Sequence, residues 1–121
     1  MLSAKGITAI DAAADYLRQL WKYTIESIER EFGAQPVRGL PFRVIVTVPA
    51  MWKPNAMERT REAAKRAGIL ESRLCGKTTL DLIPEPEAAA LATLAEFQGR
   101  PGVIAGDVIT VCDCGGGTVV R

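Results

Sequence analysis

Apolar residues recur every three or four positions from Ile10 through Ala14, Leu17, Trp21, Ile25 and Ile28 to Phe32, with Asp15, Arg18, Lys22, Glu26 and Glu29 between them. That spacing predicts an amphipathic helix with one buried stripe, ended by Gly33. The period then breaks, because AQPVRGLP at 34–41 holds two prolines and a glycine and predicts a loop. FRVIVTV at 42–48 is a short β-branched run suited to a buried strand, and Pro49 ends it. Helical spacing resumes at Pro54, which fits a first helical turn behind Lys53 as a mediocre cap, and Gly68 fits a left-handed stop. The inward face of this second helix is Ala56, Thr60, Ala63, Ala64 and Ala67. Such small side chains allow close approach while burying little area each.

ESRLCGKTTL at 71–80 follows neither period and is read as a loop or irregular turn before a short strand at 81–83. Pro86 then fits the first position of a helix over EAAALATLAEF, with Glu85 as its cap. A loop, QGRPGVIAG, leads to a final strand, DVITVCD at 107–113, and to three glycines. Helices and strands alternating in this way predict an α/β fold, a mixed sheet with flanking helices.

Composition narrows the function classes. At 121 residues and 48% apolar content the chain builds at most one core. Fifteen basic against fourteen acidic residues leave a net charge of +1, which gives no electrostatic basis for binding nucleic acid or an acidic membrane. The N-terminus lacks the charged-then-apolar order of a secretory signal, and no run reaches the roughly eighteen apolar residues of a membrane span. The expectation is a soluble, cytoplasmic protein. Three cysteines make no disulfide framework, and Cys112 and Cys114 lack the spacing of a zinc site, so both read as small hydrophobes.

The chemistry concentrates in DCGGGT at 113–118. Side chains alternate along a strand, so Asp113 faces away from Cys112 and Cys114. Gly115, Gly116 and Gly117 have no Cβ and accept positive φ, which lets successive amides converge on an anion, and Thr118 adds a hydroxyl. A carboxylate able to hold hydrated magnesium beside amides able to hold phosphate suits a nucleoside triphosphate. The P-loop lysine is missing, the residues after the glycines read as strand, and G-x-G-x-x-G is not matched. On this stretch alone an ordinary hairpin and a phosphate site are equally good accounts.

Four segments in order, VIVTVPAMW, REAAKRAGI, IPEPEAAALA and VCDCGGGTV, spanning about 42–120, resemble the nucleotide-binding domain of the seventy-kilodalton heat-shock protein family of actin-like ATPases. TVPAMW and DCGGGTV are similar to its divergent branch. The resemblance implies a ribonuclease-H-like α/β fold whose two hairpins clamp ATP phosphates between lobes, with the end of the first lobe at about 1–84 and the start of the second at about 85–121. By the same resemblance, Asp113 holds Mg2+ through water, Gly115, Gly116 and Gly117 donate to phosphate, and Thr118 lies near the terminal phosphate. Glu85 matches a carboxylate that orients water or hydrated metal, its other reading being the helix cap. Pro49 matches a proline that couples nucleotide state to lobe motion, its other reading being a strand end. ATP, ADP, unfolded clients and co-chaperones are the implied partners of a full-length form.

The departures are as specific. Met57 stands where typical members place an arginine that works with the proline, and Val120 where many place an aspartate. The stretch between Gly68 and Glu85 is longer than usual, which makes the segment around Cys75 a surface insertion. No D-x-G-T motif occurs, so the first phosphate hairpin is missing from these residues. The expectation is part of an ATPase domain, cut just inside its second lobe, that does not hydrolyse ATP by itself. The alternative is a non-enzymatic remnant or interaction module.

Overall fold

The computed structural model describes residues 6–97, 104–114 and 119–120, the last four strand positions by backbone alone. The order is α1 (Ala9–Phe32), α2 (Ala34–Gly39), β1 (Arg43–Val48), α3 (Pro54–Arg66), β2 (Ser72–Arg73), β3 (Gly76–Lys77), β4 (Thr79–Pro84), α4 (Glu85–Phe97), β5 (Asp113–Cys114) and β6 (Val119–Val120). Helices and strands alternate as the α/β reading expects. Among the described residues the strands form three pairs, β1 with β4, β2 with β3 and β5 with β6. The chain divides into two compact units, Met1–Ile45 with Lys53–Asp81, and Val46–Trp52 with Leu82–Arg121. The boundary passes within β1 and β4.

In the first unit, α1 starts at a capping box that the hydrophobic pattern does not reveal. The Thr8 hydroxyl accepts from the Asp11 amide at 3.2 Å, and the Asp11 carboxylate accepts from the Thr8 amide at 3.0 Å. Gly33 ends the helix with φ +86° and ψ 148°, and its N–H donates to the Glu29 carbonyl at 2.9 Å. The stripe is partly covered by α3 and α2. Ala14 is buried and Leu17, Trp21, Ile25 and Ile28 are half-buried, while Phe32 is exposed. On α3, Ala63, Ala64 and Ala67 are buried on the face that the sequence marks as inward, with Ala56 and Thr60 half-buried.

The end of α3 follows from Gly68. Its φ of +86° is the left-handed turn that glycine favours, and two bonds complete a Schellman cap. The Gly68 N–H donates to the Lys65 carbonyl at 3.0 Å and the Ile69 N–H to the Ala64 carbonyl at 3.2 Å.

Ion pairs fasten α1 to α3. The Arg66 guanidinium meets Asp11 at 2.7 Å and Glu62 at 2.8 Å, and Arg18 donates to the Arg66 carbonyl at 2.9 Å. Hydrogen bonds from Thr8, reinforced by Arg66, hold the Asp11 carboxyl below the usual carboxylate range; Arg66 does the same to Glu62. A carboxyl depressed by folding contributes stability above its unfolded pKa, about 4, and loses that contribution as pH falls through the folded value. Melting temperatures measured from pH 7 down to pH 3 should therefore drop on the acid side. The drop should be smaller in Arg66→Gln. Superimposable pH profiles for the two chains would show that these pairs do not stabilise the fold.

Three sequence expectations are corrected. Residues 34–39 form the short helix α2 instead of a loop, because Pro36 falls in its first turn, where no intrahelical donor is needed. Val37 is buried there. β1 is not a fully buried strand: Val48 is buried and Val44 and Val46 half-buried, but Arg43, Ile45 and Thr47 face out. The strand expected at 107–113 is present only at its last residue, where β5 begins. Val108, Ile109, Thr110 and Val111 have no ladder partner among the described residues, and β-branched composition without a partner does not make a strand.

The irregular stretch resolves into a hairpin, with Ser72 opposite Lys77 and Arg73 opposite Gly76. Cys75 lies exposed in its turn. The hairpin docks on the α2 corner, where the Cys75 N–H donates to the Gly39 carbonyl at 2.9 Å and the buried Thr78 hydroxyl accepts from the Phe42 N–H at 3.3 Å. β4 is longer than the strand expected at 81–83, running Thr79–Pro84.

Candidate functional site

β5 and β6 pair antiparallel, Asp113 opposite Val120 and Cys114 opposite Val119. That register leaves a four-residue connection, 115–118. Gly115, Gly116, Gly117 and Thr118 themselves lie outside the described residues, as do the side chains of Asp113 and Val120. The run after the glycines is thus a strand, as the sequence predicts. Upstream, a turn at 104–107 uses Gly106 at φ +103°, and the Asp107 carboxylate accepts from the Ile104 N–H at 2.9 Å.

Glu85 is the first residue of α4 and follows Pro84, the last of β4, with nothing between. It is half-buried. The helix begins one residue earlier than expected, so Pro86 is its second position. The Glu85 carboxylate accepts no capping bond from α4 and joins no ion pair among the described residues. Pro49 directly follows β1, is half-buried, and opens a turn in which its carbonyl accepts from the Trp52 N–H at 3.0 Å. Pro49, Glu85, Asp113 and the glycine connection all belong to the second unit. Met57, half-buried, and Arg59, exposed, lie on α3 in the first.

The second unit also contains an apolar cleft of about 220 Å³ between α4 and residues 109–111, floored by Leu94 and Phe97. It includes none of the candidate residues. A larger cleft, in the first unit, is lined by Arg38 and Arg73. Nothing in the sequence pattern singles out either arginine, since both come from stretches without a hydrophobic period. Among the described residues no three histidine, cysteine, aspartate or glutamate side chains converge on one point, and no helix is long and apolar enough to cross a membrane.

No family model matches the chain, and no solved structure matches it. Curated proteins do. Chaperone protein HscA of Proteus mirabilis is 34% identical over 93% of this chain, which is 14% of that protein's length. HscA of Pectobacterium atrosepticum is 39% identical over 96% of the chain and 15% of its own length. HscA of Serratia proteamaculans is 33% identical over 98% and 16%. The chain spans about one seventh of the length of the curated relatives it matches. The matches cover nine-tenths or more of the chain, and on that ground the chain belongs, as a segment, to the seventy-kilodalton heat-shock protein family.

Proposed function

We propose that the chain is the part of an ATP-dependent, chaperone-like ATPase that supplies one of its phosphate-gripping hairpins, within an actin-like, ribonuclease-H-like fold. The observation that carries this reading is the β5–β6 pairing, which turns DCGGGT into a hairpin closed by Cys114 and Val119. A carboxylate one residue before a run of glycines sets a negative group beside amides able to cradle an anion. Asp113 would hold Mg2+ through water, and Gly115, Gly116, Gly117 and Thr118 would receive phosphate oxygens. Magnesium keeps several waters and takes only one or two carboxylates beside phosphate, so one aspartate suits it. Bound there, the ion would neutralise phosphate charge.

Glu85 is proposed to orient water, which is supported by its position at a half-buried helix start with its carboxylate not spent on a cap. Pro49, between β1 and a turn, is the proposed coupling point. In the longer protein the division between lobes would fall near Glu85. Nucleotide, unfolded clients and co-chaperones are its proposed partners.

A second reading is favoured by Val120, Met57 and the absence of D-x-G-T from these 121 residues. One hairpin grips phosphates from one side, and preorganised donors lose much of their effect when water competes. The chain by itself is therefore proposed to bind ATP weakly and not to turn it over.

Nitrogen–proton NMR titration with ATP and magnesium should give magnesium-dependent shifts centred on residues 113–120 with a Kd near 1 mM, about −4 kcal/mol. Calorimetry should register no tight one-to-one event. No shift at the hairpin would overturn the phosphate reading. Submicromolar binding would overturn the argument from a single hairpin.

A further inference from the structure

The first unit holds a cleft of about 430 Å³, open to solvent, walled by Trp21, Arg38, Ile69, Glu71, Ser72 and Arg73. Its charged wall is built before any ligand arrives. The Arg73 guanidinium stacks 4.5 Å from the centre of the Phe42 ring and donates through one nitrogen to the carbonyls of Val37 and Leu40 at the end of α2. Trp21 meets the same ring edge-on, at 5.4 Å and 86°. Guanidinium and indole are thus fixed relative to each other through one phenylalanine.

Arg73 is half-buried, yet no carboxylate pairs with it among the described residues. Its Nε and second terminal nitrogen make no hydrogen bond there. Arg38 lines the same cleft with only its Nε engaged, by Glu29 at 3.3 Å. Glu71 is the opposing charge. It joins no ion pair among the described residues, and its carboxylate folds against Gly68.

We propose that this cleft binds an oxyanion, carboxylate or phosphate, carried on a flat apolar body, with the anion held by Arg73 and Arg38 and the body laid against Trp21. Guanidinium forks match the paired oxygens of either anion, and a cation held away from water gains most from a counter-ion. Because packing already fixes Arg73, less side-chain freedom is lost on binding than at a surface arginine. The volume falls within the range of small-molecule sites. An indole face prefers an offset ring above a chain of methylenes.

The test is an NMR titration of the full chain with phenyl phosphate, with benzoate and with inorganic phosphate, at constant ionic strength, following the Trp21 indole N–H and the Arg73 Nε–H. At least one ring-bearing anion should give saturable shifts at both reporters, tighter than inorganic phosphate. Saturation by phenyl phosphate alone marks the ligand as a phosphate, and by benzoate alone as a carboxylate. Arg38→Gln should weaken that binding about fivefold or more, and Glu71→Gln should tighten it severalfold. Arg73→Gln also removes bonds to α2, so the two other variants carry the test if it fails to fold. Linear shifts matching those from sodium chloride would overturn the proposal, as would saturable binding unaltered in both Arg38→Gln and Glu71→Gln. The reporters lie in the first unit, so the outcome is read independently of shifts at residues 113–120.

Discussion

Replacing Ala64 by leucine is expected to destabilise the chain by about 1–3 kcal/mol, lowering the melting temperature by roughly 4–12 °C. Ala63 and Ala64 are each 1% exposed on α3, and Ala14 is 2% exposed on α1. A fully buried alanine on a helix packed against another leaves no room for three more carbons. The larger side chain must push the helices apart or leave its preferred rotamer. Separating the helices would also stretch the Asp11–Arg66 contact across the same interface. Ala13→Leu is the control, since Ala13 is exposed on α1, the helix that packs on α3, and its change should stay within about 0.5 kcal/mol. Thermal unfolding followed by circular dichroism decides it; equal melting temperatures for the two variants would mean that the interface is loosely packed.

The second large effect is expected at Gly33, where Gly33→Ala should cost about 1–3 kcal/mol. The reason is conformational, because a Cβ at this position meets nothing closer than Pro36 Cδ at 3.9 Å. Its φ of +86° with ψ of 148° is a region that a side chain disfavours, and α1 passes into α2 through that single residue. Gly39→Ala makes the contrast. Gly39 is helical, with ordinary contact to Cys75 Sγ at 3.7 Å, so alanine there should be neutral or stabilising. Urea denaturation of both variants would separate backbone strain from lost space, and comparable midpoints would remove the strain argument.

What could be read from residues alone depended on how local the cause was. The α1 stripe, the stop at Gly33, the proline start of α3 and its Gly68 cap are set by side chains within one or two turns, and each is found where the pattern puts it. The capping box was available too, as Thr8 three residues before Asp11, but it lies outside the apolar period. α2 escaped because Pro36 and Gly39 read as breakers unless proline is recognised as tolerated in the first helical turn and glycine at the helix end. β2 and β3 are two residues each, too short for alternation to register, and hydrogen bonds to the α2 corner hold them in place. Residues 107–112 err in the other direction: their composition favours a strand, but a strand requires a neighbour that composition does not name. Of the candidate site, the hairpin around the glycines and the position of Glu85 at a strand-to-helix junction were legible. The charged cleft was not, because Trp21, Arg38 and Arg73 meet only through tertiary packing.

The junction of β4 and α4 has a mechanical consequence. Pro84 closes the strand and Glu85 opens the helix, so no loose peptide separates them. A flexible loop would absorb changes in strand position, whereas here they pass directly into the helix. Slipping β4 by one residue against β1 would carry the start of α4 by about 3.3 Å and turn every strand side chain to the opposite face. The pairing register therefore acts as a ruler for the Glu85 carboxylate, setting its distance along the sheet to within one strand step.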